Sequence, residues 1–216
     1  MVAKRSPPSI SRSGRRHART LVSELAAMFD SAGLRPADCQ CVAVSIGPGS
    51  FTGLRVGVVC AKTFAYATGC QVVAVETLHA IAAAAPQDVD KVDTLVDAQR
   101  GEVFRARFHR QHGGQWTRDG AIIIEPWEAV IASVARGDRF AGPALEHRPD
   151  EFPEFALCPA SYWEPRAAIV ACLGEQAALN GEVDDLYKLE PLYIRRSAAE
   201  EQRERRAQAT VPGDGV

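Results

Sequence analysis

The sequence carries no basic excess. Its 25 Lys and Arg residues are set against 27 Asp and Glu, a formal net charge of −2 over 216 residues. A protein that grips nucleic acid unaided usually carries a basic patch or surplus, so direct nucleic-acid binding would need a local patch or a partner. There is no run of about 18 apolar residues, so no helical membrane span is expected. No apolar stretch follows Lys4 and Arg5, which argues against a secretory leader. The six cysteines, Cys39, Cys41, Cys60, Cys70, Cys158 and Cys172, form no C-x-x-C pair, and no histidine stands at zinc-site spacing from them. Most lie inside apolar runs, where a free cysteine behaves as a small hydrophobe. Reduced thiols place the chain in the cytoplasm. No internal repeat of 20–50 residues is present.

What is there alternates between strand and helix signals. Residues 1–16 are rich in Ser, Pro and Arg without periodicity and read as a disordered lead. Leu21, Leu25, Met28 and Phe29 recur at helical spacing up to Gly33. Residues 41–46 read as a short buried strand. A second helix runs over 54–68 and Gly69 closes it. Residues 71–75 and 92–96 read as buried strands around a short alanine-rich helix, 77–85. Residues 102–110 alternate as a half-exposed strand, with Arg105, Arg107 and His109 on one side and Phe104, Ala106 and Phe108 on the other. Gly113-Gly114 turns the chain into a strand over 115–125. Pro126 opens a helix to Ala135, residues 139–142 and 155–158 read as short strands, and Pro165 opens a last long helix. The fold class is α/β with a mixed sheet, divided into a first lobe over 17–98 and a second over 99–197. Residues 198–216 read as a disordered tail.

The most distinctive stretch is Gly47-Pro48-Gly49-Ser50-Phe51-Thr52-Gly53-Leu54-Arg55-Val56-Gly57, between a buried strand and a helix. A glycine-rich loop at a helix start can bring backbone N–H groups to an anion. It is neither a P-loop, nor a dinucleotide fingerprint, nor a G-x-S-x-G elbow. The plainer reading is a tight turn in which Ser50 or Thr52 caps the helix.

GPGSFTGLRVG resembles the signature of the TsaB (YeaZ) family of the glycoprotease-like group. Two further stretches match it: Asp97-Ala98-Gln99-Arg100-Gly101-Glu102-Val103-Phe104, and Pro191-Leu192-Tyr193-Ile194-Arg195-Arg196-Ser197-Ala198-Ala199-Glu200. Gly14-Arg15-Arg16-His17 fits the start of the family's first helix, so the resemblance runs from about residue 14 to 200. It implies an actin-like (ribonuclease-H-like) two-lobed fold. It also implies a non-catalytic scaffold subunit that dimerises with a TsaD-type catalytic paralogue and works with a TsaE-type ATPase. That complex moves a threonylcarbamoyl group onto N6 of the adenosine beside the anticodon, so tRNA is met through the complex. No cofactor is implied.

The family's pairing goes through the first two helices. The resemblance therefore points to Leu21, Leu25 and Met28, and to Leu54, Gly57, Val58, Ala61 and Ala65, as partner-facing residues. A second copy of the chain is an alternative occupant. The small residues Gly57, Ala61 and Ala65 suit close helix approach, but internal packing on a sheet explains the pattern equally well.

The catalytic paralogue carries a metal-binding His-x-x-x-His, and two histidines four apart share a helix face. Here those positions fall on Thr77 and Ile81, with His79 alone between them, so no metal site is expected. His109 and His112 are not expected to bind metal either. Family members begin with some 30 residues of strands and hairpin that have no counterpart here, which leaves the first lobe incomplete and a sheet edge exposed. Gln99 stands where the family usually has Arg. Three rival readings stay open. A peptidase would need an activated nucleophile or a metal, which neither Ser45 nor Ser50 provides by context. A small-molecule kinase would need the phosphate-binding Asp of the first strand. A direct tRNA binder would use Lys4, Arg5, Arg12, Arg15, Arg16 and Arg19.

Overall fold

The computed structural model describes residues 17–195. The chain divides into two compact units, residues 1–39 and 40–216. The first holds helix α1, His17–Ala32, whose apolar stripe ends at Gly33 with a left-handed φ of 68°. A 3-10 turn at Pro36–Asp38 follows, closed by Asp38, which accepts from the Arg35 backbone N–H at 2.9 Å.

The second unit contains two sheets. The first is a parallel pair, β1 (Cys41–Gly47) and β2 (Gln71–Glu76), joined by helix α2 (Phe51–Thr68). Parallel neighbours need a crossover of this kind. Both faces are covered. Val58 and Ala65 of α2 pack with Val72, Val42, Val44 and Ile46 on one side. Val170, Ile169 and Leu173 of α5 (Ala167–Leu179) pack with Val73, Val75 and Ala43 on the other. Gly174 permits that approach, because a Cβ there would lie 2.3 Å from Ala43 Cβ. Among the described residues, no strand pairs with the second edge of β1.

The second sheet has the order β5-β4-β3-β6. Its strands are β3 (Lys91–Gln99), β4 (Glu102–Arg110), β5 (Trp116–Pro126) and a two-residue β6 (Phe140–Ala141). β4 is antiparallel to both neighbours and β6 is parallel to β3. Helix α3 (Thr77–Ala83) follows β2 directly and sends Leu78 and Ile81 into the core under this sheet, beside Leu95, Phe108 and Phe140. Burying each such side chain stabilises by about 1.5–3 kcal/mol. Helix α4 (Trp127–Ala132) adds Trp127 and Val130 to the same core.

Several expectations are corrected. The expected boundary at 98/99 falls inside β3, whose Lys91–Gln99 pairs with Glu102–His109 of β4, while α5 returns to the first sheet. Residues 155–158 form no strand; a single bridge joins Leu157 to Phe140. Pro153 and Pro159 flank this stretch, and proline has no N–H to give a ladder. Pro126 is the N-cap of α4 rather than its first residue.

The polar side of β4 is not simply solvated. Asp93 is 1% exposed and accepts from Arg105 Nε and Arg107 Nη2, each at 2.8 Å. Arg105 also donates to Glu125 at 2.9 Å. Burial alone would lower the Arg105 pKa, but its bonds to Asp93 and Glu125 outweigh burial and raise it.

Candidate functional site

Three stretches far apart in sequence line one cleft of about 530 Å³ in the second unit: residues 48–51, residues 97–100 and residues 192–195. Each is one of the three motifs that carry the family resemblance. The opposite wall includes Pro143, Ala144, Glu146 and His147, which the sequence reading did not single out. The volume lies in the range of small-molecule sites.

The first wall is the β1–α2 loop. Ser50 caps α2, its Oγ accepting from Gly53 N at 3.4 Å, and Gly69 at φ 75° closes the helix, donating to Ala65 O at 2.8 Å. The Gly47–Pro48 peptide is cis. Gly47 is the glycine this loop requires: its φ is 119°, and a Cβ there would meet Leu54 Cδ1 at 3.0 Å and Leu192 O at 3.3 Å. Around Gly49 there is open space.

The second wall is the β3–β4 turn. Gln99, Arg100 and Gly101 all have positive φ, 62°, 59° and 77°. A left-handed backbone costs a non-glycine residue about 1 kcal/mol, so two such residues in succession need outside support. Asp97 supplies part of it, accepting from Gln99 N at 2.7 Å, and Gly101 O accepts from Trp127 N at 2.9 Å.

The closing motif joins the two walls. Leu192 N donates to Ile46 O at 2.8 Å. Arg55 Nε donates to Tyr193 OH at 2.9 Å, and its guanidinium lies 4.1 Å from the Phe51 ring centre. Phe51 and Tyr193 are themselves 5.1 Å apart. Arg195 donates to Ala98 O at 2.7 Å and forms an ion pair with Glu102. Thus Gly47, Pro48, Gly49, Ser50, Phe51, Arg55, Asp97, Tyr193 and Arg195 gather at one place, with Gly101 and Glu102 in the turn behind them. Thr52 and Gly53 sit on the exposed first turn of α2.

The expected partner-facing residues divide differently. Val58, Ala61 and Ala65 are buried within the chain, on the face of α2 that covers β1 and β2. They cannot meet another subunit while the chain is folded, and Gly57 lies on the same side, with Val44 in van der Waals range of a Cβ built on it. Leu54 is half-buried beside Gly47. The outward side of α2 carries Val59, 61% exposed, and Tyr66, 72% exposed. On α1, Leu21 and Leu25 are half-buried and Met28 is 54% exposed.

Reactive groups have structural employment. Ser45 Oγ shares a hydrogen bond of 2.7 Å with Thr77 Oγ1, and Ile81 is fully buried in the core. Burial pushes the Cys158 thiol up to about 11, which leaves it protonated and inert. Among the described residues, no group of three His, Cys, Asp or Glu side chains could hold a metal ion, and no helix is long and apolar enough to cross a membrane. The lead with its basic residues, and the closing motif from residue 196 onward, lie outside the described residues.

A second groove of about 650 Å³ includes Glu76, His79, Trp116, Cys172 and Gln176 in its lining. Glu76 is ion-paired with Arg118, and His79 stacks on Phe108 at 5.6 Å. Burial lowers the His79 pKa, against the pull of Glu76 and a hydrogen bond to the Trp116 backbone. The groove contains none of the three motifs.

Residues 8–125 match the model of the family described as TsaD, tRNA N6-adenosine threonylcarbamoyltransferase. The tRNA threonylcarbamoyladenosine biosynthesis protein TsaB of Bacillus subtilis is 26% identical over 180 residues, 80% of this chain and 77% of that protein. An uncharacterized protein of Mycobacterium tuberculosis is 34% identical over 187 residues, 86% of this chain and 78% of its own length. The crystal structure titled YeaZ from Pseudomonas aeruginosa superposes with a TM-score of 0.70 at 27% identity, covering 82% of this chain and 85% of that one. The α/β arrangement of the two sheets is thus that of the YeaZ structures, as the actin-like expectation required. With the three motifs brought to one cleft and these likenesses running across most of its length, the chain belongs to the TsaB (YeaZ) family.

Proposed function

We propose that this chain acts in the biosynthesis of threonylcarbamoyladenosine in tRNA, as a non-catalytic subunit that pairs with a TsaD-type catalytic paralogue. The observation that carries the pathway is the likeness to proteins named TsaB over four-fifths of the chain. The non-catalytic reading is supported by the two serines that the sequence offers as nucleophiles. Ser50 caps a helix and Ser45 is tied to Thr77, so neither has a base to activate it. The TsaE-type ATPase and tRNA are met through the assembled complex in the cytoplasm.

The surface for the paralogue is the outward side of α2, centred on Val59 and Tyr66, which expose large apolar side chains on a regular helix. Tyrosine is among the residues enriched as anchors of interfaces. In the first unit, taken by itself, Met28 and Val22 of α1 are also exposed.

The test is reconstituted transfer of the threonylcarbamoyl group to tRNA, using the TsaD-type and TsaE-type proteins of the same organism. Adding this chain is expected to raise the rate at least tenfold, and the chain alone is expected to give no product. Product formed by the chain alone would overturn the non-catalytic reading. A complete system indifferent to the chain would overturn the pathway role.

A further inference from the structure

The two sheets of the second unit meet at two sides, in different ways. At one side α3 follows β2 without a loop, with Glu76 as its N-cap, and buries Leu78 and Ile81 fully in the core under β3 and β4. The core of that join is apolar, with the Glu76–Arg118 ion pair beside it. At the other side the join is residues 187–195, which run without a ladder of their own. Lys62 Nζ donates to the carbonyls of Tyr187 at 3.2 Å and Leu189 at 3.0 Å, and the Leu189 side chain is buried with Val58 and Val72. Leu192 and Tyr193 then bond to Ile46 and Arg55. All of these anchors belong to the first sheet and its helix. Arg195, through Ala98 O and Glu102, makes the polar bonds of this segment to the β3–β4 turn, and Ile194 packs against the second core.

We propose that residues 187–195 are a strap across the cleft, with Arg195 as its latch, and that the cleft opens at this latch by pivoting on α3. The two joins differ in strength. The side chains of Arg195 and Glu102 are 22% and 32% exposed. A pair so open to water is weak and screened by salt, whereas the fully buried apolar contacts of α3 are neither. Local openings of this kind lie below global unfolding in free energy. Release of Arg195 separates the Pro48 loop from the Gln99–Gly101 turn and admits solvent or a ligand to the cleft floor of Val96, Phe104 and Ile194. This does not depend on what the chain pairs with.

Amide hydrogen exchange on the full chain tests it, at low salt and at about 0.5 M salt, for wild type, Arg195→Ala and Glu102→Gln. In the wild type, residues 99–101 and 192–195 are expected to exchange together and faster at high salt. Arg195→Ala is expected to speed both segments by about tenfold at low salt, the effect of one ion pair and one hydrogen bond. Glu102→Gln, which removes the ion pair alone, is expected to speed them by about threefold, and both are expected to abolish the salt dependence. Ala106 and Phe108 in β4 stay protected throughout. Segments that respond independently, acceleration spread over β3 and β4, or rates indifferent to both variants and to salt would each overturn the latch. Glu102→Gln leaves Arg195 in place, so the proposal is judged even where Arg195→Ala folds poorly.

Discussion

Arg55 lies in the signature loop, where sequence reasoning invites an anion-binding role, yet its guanidinium is folded back onto Phe51 and Tyr193. Tyr193→Phe removes only the hydroxyl acceptor and is expected to lower unfolding free energy by about 1 kcal/mol, and Arg55→Ala by about 1–2 kcal/mol through the added loss of the cation–π contact. Denaturant unfolding measures both; equal stability in either variant would mean the contact is incidental. Asp93 is a sharper case. Asp93→Ala removes the buried carboxylate that both Arg105 and Arg107 bond, leaving Glu125 as the carboxylate partner of Arg105, and is expected to cost about 3 kcal/mol. No local pattern pairs Asp93 with Arg105, because the partners come together only when β3 and β4 register.

His79 gives a pH prediction with a definite sign. Its folded pKa lies below the ordinary 6.5, so the unfolded chain takes up the proton first. Its contribution to stability is therefore complete above about pH 6.5 and is lost as pH falls through that value toward the folded pKa. The melting temperature of the wild type is expected to drop between pH 7 and 5.5 by more than that of His79→Phe, which keeps the stack on Phe108. Parallel curves for the two proteins would remove His79 as the cause.

At the scale of elements, α2 shows what a sequence pattern holds and what it leaves open. Its body and its end were legible from apolar spacing and from Gly69, while its first turn, from Phe51, precedes the expected start at Leu54. Its orientation was not, since small residues four apart serve a sheet as well as a helix. Burial decides: Ala61 lies on the sheet side and Val59 outward. Ala61→Arg is therefore expected to unfold the protein, while Val59→Asp leaves its melting curve within a degree or two of wild type. The reverse ranking would return the partner to the small-residue face. Gly174 in α5 carried no recognisable signal, because its requirement comes from Ala43 on a distant strand. Gly174→Val is expected to destabilise by about 1–3 kcal/mol or more through overpacking.

At the scale of the whole molecule, the α/β class was legible because alternation of periods survives any arrangement of the elements. The grouping was not. β3 joins β4 rather than β2, and α5 returns across the chain to the first sheet, and neither choice is written in a local period. The candidate site was legible as three motifs but not as a place. Arg195 reaching Ala98, and Tyr193 reaching Arg55, are contacts across 97 and 138 residues of sequence.

The central claim is that this chain works by pairing, through the outward side of α2, with a TsaD-type paralogue. Size-exclusion chromatography with light scattering, on that paralogue mixed with wild type or with the Val59→Asp, Tyr66→Asp double variant, tests it most directly. The account predicts a one-to-one complex for the wild type, and none for a variant that melts like the wild type. A folded wild type that never pairs, or a variant that pairs as tightly as the wild type, would contradict it.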